Sequence, residues 1–143
     1  MPISFNHADK KASLTKRNAL KLFITKALRK EGLTIVDLQY IFCSDNYLLD
    51  INRQFLDHDF YTDIISFDLS EVKGQLVAEV YISVDRVRDN AKQLGTTIKE
   101  ELLRVIFHGA LHFCGYKDKK PKDAAIMRAM ENKWIKAYLK SIS

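Results

Sequence analysis

The tightest constraint on what this chain can become lies between residues 97 and 115. Thr97 followed three residues later by Glu100 is a capping box, the signature of a helix start. Behind it Leu103, Ile106, Phe107, Ala110 and Leu111 recur at the spacing of one buried helix face, and Gly115 is placed to end the helix. A helix with so broad an apolar face is stable only against a second layer. The rest of the chain has to supply that layer.

It carries the patterns to do so. Ile3-Ser4-Phe5 reads as a short edge strand. Ser13 can cap a helix running to Lys30, with Leu20, Phe23, Ile24, Ala27 and Leu28 inward and Gly32 as its stop. Thr34–Cys43 alternates as a half-buried strand with Val36, Leu38, Tyr40 and Phe42 on one side. Ser44 can cap a helix bearing Tyr47, Leu48, Ile51 and Phe55, interrupted by the polar Asp57-His58-Asp59. Strands follow around Ile64–Leu69 and Leu76–Ser83, joined by a turn at Gly74. Asp85 begins a helix that ends at Gly95. Pro121 suits the first turn of a last helix, whose Met127, Met130, Trp134 and Tyr138 form a core stripe. Strands and helices mix without strict alternation, so the expectation is α+β: a single domain over residues 1–143, with a small mixed sheet packed against several helices.

Composition narrows the class. The 143 residues are 47% hydrophobic, enough for one core, with no linker-like tract and no internal repeat. No apolar run approaches a membrane span, and Met1-Pro2-Ile3-Ser4-Phe5 lacks the pattern of a secretory signal. Cys43 and Cys114 are expected to be reduced thiols, and the expected location is the cytoplasm. The net charge is +5. It is concentrated in Lys10, Lys11, Lys16, Arg17, Lys21, Lys26, Arg29 and Lys30, with no acid among them, and in Lys117, Lys119, Lys120 and Lys122. Such clusters suit a polyanion, or are simply solvated helix faces.

Chemistry concentrates in His108-Gly109-Ala110-Leu111-His112-Phe113-Cys114-Gly115-Tyr116-Lys117-Asp118. Histidines at i and i+4 stack on one helix face, so both imidazoles can converge on one ion. Gly115 lets the chain turn back and return Asp118 to the same point. Two nitrogens and a carboxylate make a three-ligand zinc site with the fourth position open. HxxxHxxGxxD places its glycine and third ligand where the metzincin pattern H-E-x-x-H-x-x-G-x-x-H does. That pattern's glutamate base is Gly109 here, which argues against proteolysis. Glu101 and Arg104 are read as an i, i+3 surface ion pair, and Cys114 as a buried thiol on another face. His7 and His58 are expected to be exposed and outside the site.

The run His108-Gly-Ala-Leu-His112-Phe-Cys-Gly115-Tyr116 resembles the H-G-x-L-H-L-x-G-Y-D-H signature of the YbeY family of bacterial endoribonucleases. Asn52 with Thr62-Asp63-Ile64-Ile65-Ser66-Phe67 is similar to that family's L-N … T-D-V-L-S-F, and Ala78-Glu79-Val80-Tyr81-Ile82-Ser83 to its G-D-I-x-I-S. The resemblance implies one zinc ion held by His108, His112 and Asp118, with the two histidines catalytic through the metal. It also implies cleavage of single-stranded RNA in processing the 3′ end of small-subunit ribosomal RNA. The partners it implies are that RNA and the ribosome or its small subunit, not a membrane. The alternative is a non-catalytic, zinc-stabilised ribosome assembly factor.

Two positions depart from the family pattern. Asp118 stands at its third histidine, after Lys117 where it has aspartate; the carboxylate adds negative charge and should leave a water on the metal less acidic. Leu56 stands at a family arginine expected to contact phosphate. Arg53, Lys117 and Lys119 are the candidates to contact RNA in its stead. Glu79 and Asp63 are candidate proton-handling groups, each equally readable as a structural acid. The motif leaves open whether water or the RNA 2′-hydroxyl attacks.

Overall fold

The two periodicities sort into a four-stranded sheet with helices on both faces. The structure, a computed structural model, describes residues 2–143; Met1 lies outside them. In chain order the elements are β1 (Ile3–His7), α1 (Arg17–Lys30), β2 (Thr34–Cys43), α2 (Asp45–Leu56), β3 (Ile64–Asp68), β4 (Gln75–Ser83), α3 (Val84–Leu94), α4 (Ile98–Phe113) and α5 (Pro121–Ser141). The sheet order is β1-β2-β4-β3, with β1, β2 and β4 parallel and β3 antiparallel along the β4 edge.

Strand alternation gives the sheet two different faces. Leu38, Tyr40 and Phe42 stand beside Ala78, Val80 and Ile82, all buried, on the side that receives α4; the Tyr40 hydroxyl donates to the Ile106 carbonyl at 3.2 Å. There α1 contributes Leu20, Ile24 and Leu28, and the Phe23 ring packs against Phe107, Trp134 and Tyr138. On the other face Cys43, Ile65, Phe67 and Tyr81 form a smaller cluster with Leu48 and Ile51 of α2.

Several local expectations shift by a residue or more. α1 starts at Arg17, not near Ser13, because the preceding segment is drawn out to bury Ala12 in the core. In β2 a register shift between Ile35 and Asp37 changes the alternation, so Ile35 is buried and Val36 faces out. In α2 the buried positions are Leu48, Leu49 and Asn52, while Tyr47 and Phe55 are exposed. α3 is capped by Ser83, whose hydroxyl accepts from the Arg86 amide. The Thr97 cap forms, its hydroxyl accepting from the Glu100 amide at 3.1 Å.

At Gly109 α4 lies tightly against the sheet. A Cβ there would stand 3.0 Å from Ile64 Cδ1 and 3.3 Å from Val80 Cγ1. Gly109→Ala is expected to be nearly neutral in a urea titration, within about 1 kcal/mol, because the mobile Ile64 terminus can yield and alanine favours the helix. Gly109→Glu drives a charged side chain into that contact and is expected to cost at least about 2 kcal/mol by the same measurement.

Candidate metal centre

α4 carries His108 and His112 one turn apart, and a Schellman ending turns the chain back after them. Gly115, at φ 97°, lets its own amide donate to the His112 carbonyl and the Tyr116 amide to the Leu111 carbonyl. Asp118 returns as the sequence pattern anticipates. His108 Nε2 and His112 Nε2 are 3.0 Å apart, and Asp118 Oδ2 stands 3.1 Å from the first and 3.3 Å from the second. Ligand bonds of about 2.0–2.1 Å in a tetrahedron put donor atoms roughly 3.3 Å apart. The three atoms therefore fit three corners around a zinc-sized ion. Among the described residues no other group of His, Cys, Asp and Glu gathers in this way.

Behind the first imidazole stands a residue that the sequence pattern did not single out. Glu131 of α5 is buried, and its Oε2 lies 2.7 Å from His108 Nδ1. A carboxylate there requires the proton on Nδ1 and leaves the Nε2 lone pair for a metal, the usual support of a metal-binding histidine. Burial works to lower the His108 pKa. The Glu131 hydrogen bond and charge, with those of Asp118 and Asp63, outweigh it and hold the imidazole above its ordinary value. This cluster of carboxylates around the histidines calls for a cation. The available sequence signal was a charge on the buried stripe of α5, one turn from Met127 and one residue from Met130.

The Glu101–Arg104 pair exists but is not at the surface. Glu101 is 3% exposed, its carboxylate 3.4 Å from Arg104 Nε, and it also accepts from the Thr96 hydroxyl. The approach is too oblique for a hydrogen bond, so Arg104 Nε is a buried donor without an acceptor. Arg104 Nη1 reaches Glu131 at 3.3 Å and donates to Asn132 at 2.7 Å. A buried ionic chain thus runs Glu101–Arg104–Glu131–His108.

His108, His112 and Asp118 open onto a cleft of about 800 Å³ walled by β3, α4, α5 and the loop before β3. Of the basic residues considered for RNA contact, Lys119 lines it. Lys117 does not, and Arg53 lies outside, paired with Asp59 at 2.5 Å and Asp50 at 3.9 Å. Leu56 lines the cleft with an apolar side chain. His58 is exposed as expected, yet it also lines the cleft.

Of the two candidate proton-handling acids, Asp63 lines the same cleft, and burial raises its carboxyl above the usual range. Glu79 is on the opposite face of the sheet, where the Tyr81 hydroxyl donates to it, because its neighbour Val80 points at α4. It is removed from the candidate site. Cys114 faces away as read: its thiol donates to the Ala110 carbonyl and burial pushes its pKa up to about 12.

Fold and site together define a small α+β protein whose mixed sheet carries, on one helix and the turn after it, three donors able to hold a metal above an open cleft. The sequence profile of the family described as endoribonuclease YbeY matches residues 3–139, and the chain belongs to that family. A Cytophaga hutchinsonii protein named endoribonuclease YbeY is 50% identical over 130 residues, 91% of each chain. One of the same name from Flavobacterium johnsoniae is 41% identical over 136 residues, 95% of this chain and 96% of the relative. The fold is shared with a Thermotoga maritima protein solved in solution, at TM-score 0.61 and 24% identity over 97% of this chain and 90% of the other.

Glu131→Gln keeps the shape of the side chain but weakens its pull on the His108 proton. It is expected to lower zinc affinity about 10–100-fold, read by competition with a fluorescent chelator, with the helical circular-dichroism signal unchanged.

Proposed function

We propose that this chain is a zinc-dependent endoribonuclease that cuts single-stranded RNA while the 3′ end of small-subunit ribosomal RNA matures. The whole chain, residues 1–143, acts as one domain in the cytoplasm, with that RNA and the ribosome or its small subunit as partners. Membership of a family named for endoribonuclease activity supports RNA as the substrate. No helix among the described residues is long and apolar enough to cross a membrane.

The observation that carries the reading is the three-donor geometry at the edge of a cleft. A metal kept only for structure is normally closed by four protein ligands, whereas three ligands facing open space leave a position for reaction. This favours catalysis over a purely stabilising ion. When bound, zinc would supply a Lewis acid for a phosphoryl oxygen and lower the pKa of a water.

The chain's own groups have separate tasks. His108, His112 and Asp118 hold the ion, and Glu131 fixes the His108 tautomer. Lys119 and Arg128, both lining the cleft, face the phosphate backbone with positive charge where Leu56 offers none. Asp63, its carboxyl pKa raised by burial, lines the cleft as a candidate to hold or release a proton. Peptide hydrolysis is disfavoured, since the direction in which a base would project from residue 109 is filled by Ile64 and Val80.

Zinc-loaded protein is expected to cut a single-stranded ribosomal RNA fragment, with activity falling to background in His108→Ala. Equal cleavage by the two proteins would point to a contaminating nuclease and remove the assignment. A 2′-deoxy sugar at the cleaved position then separates the nucleophiles. Resistance assigns attack to the ribose hydroxyl, and an unchanged rate assigns it to water.

A further inference from the structure

The loop between α2 and β3 presents aromatic rings to the cleft in a way that packing alone does not require. Along it, His58, Phe60 and Thr62 line the cleft, while the residues between them are held elsewhere. Asp59 is paired with Arg53. The Tyr61 hydroxyl donates to Asn46 Oδ1 at 3.3 Å, and its ring lies 5.4 Å from the Arg86 guanidinium carbon. The alternation therefore has a cause on both sides, and it leaves His58 and Phe60 turned toward the candidate metal centre.

The loop is also clamped. Asn52, 1% exposed, accepts from the His58 amide through its main-chain carbonyl at 3.1 Å and donates through side-chain Nδ2 to the Phe60 carbonyl at 2.9 Å. The helix end thus holds the backbone at His58, and the buried Asn52 side chain holds it at Phe60. The two rings are stacked, centroids 5.1 Å apart and planes 24° from parallel. Phe60 nevertheless remains 56% exposed. A rigidly held ring pair, open on the cleft side and facing a phosphodiester-cleaving centre, has the chemistry of a nucleobase platform. Every base has a π-face, and only an unpaired base can lay it on an aromatic side chain.

We propose that Phe60, backed by His58, is a stacking platform for one unpaired nucleobase of the RNA beside the cleavage position, and that Asn52 is the residue that positions it. This rests on the endoribonuclease reading above and deepens it: the platform gives the cleft a physical preference for single strands. It also compensates for Leu56, since affinity not available from a phosphate contact there is supplied by a base contact two to four residues on.

The test is stopped-flow fluorescence on zinc-loaded protein, so that binding is read before cleavage. The probes are short single-stranded RNAs carrying 2-aminopurine, or an abasic sugar, at each position in turn. Wild-type protein is expected to quench 2-aminopurine at one position and to bind the RNA abasic there about 10–100-fold more weakly, the range that base–aromatic stacking spans. Phe60→Ala should bind the intact RNA with a similar loss and show no further loss with the abasic RNA, while Phe60→Trp restores affinity. Wild-type binding indifferent to an abasic sugar at every position overturns the platform without any substitution being needed. So does a Phe60→Ala protein that binds as wild type does. If base-dependent binding persists but no RNA is cut, the endoribonuclease reading fails and the platform stands. If RNA is cut with no dependence on Phe60, the platform alone fails.

Discussion

The candidate metal end of this molecule depends on how closely α4 lies against the β3–β4 edge of the sheet. Gly109 faces Ile64 and Val80 at a distance that leaves no room for a long side chain. With the helix seated there, Ile106, Phe107, Ala110 and Leu111 are buried, and His108 and His112 emerge together at the lip of the cleft. The departure from the metalloprotease pattern is thus architectural as well as chemical. The position that carries a base in a peptidase is here the contact on which the helix rests.

A second layer of order comes from charge. Glu101 and Glu131 are almost fully buried carboxylates, and isolated they would be costly. Arg104 lies between them, and His108 Nδ1 takes the free oxygen of Glu131. The network joins α4 to α5 and holds one imidazole in the tautomer that exposes its other nitrogen. Its net negative surroundings favour a cation at the open end. The same side chains tie the helices together and orient the candidate ligand, a case of buried ionic groups specifying geometry.

The cleft's other wall is set by Asn52. Its burial rotates α2 relative to the purely apolar reading of that helix, leaving Tyr47 and Phe55 outside and letting its side chain hold the loop after α2 at the Phe60 carbonyl. Leu56, His58, Phe60 and Asp63 then share a cavity with His108, although up to 52 residues of sequence separate them. Distinct sheet faces keep Glu79 and its acidic charge away from that cavity.

Much of this was legible beforehand, because the signals were local. Helix caps, strand alternation, the two histidines one turn apart, the glycine stop and Asp118 three residues beyond it all act within a few residues of themselves. Elements and the donor triad therefore follow from the sequence. Val36, Tyr47 and Phe55 were misplaced because a bulge and a buried asparagine change the facing of an element without changing its period. Glu131 and the loop at His58 and Phe60 were not legible. Their roles exist only once α5 and the α2–β3 loop are packed against α4, and no spacing within the chain encodes a contact between residues that meet only in the folded core. Local spacing alone is enough to name the groups that can hold a metal. Long-range packing, which no local spacing encodes, sets which groups orient them, what lines the cleft, and which acid shares it.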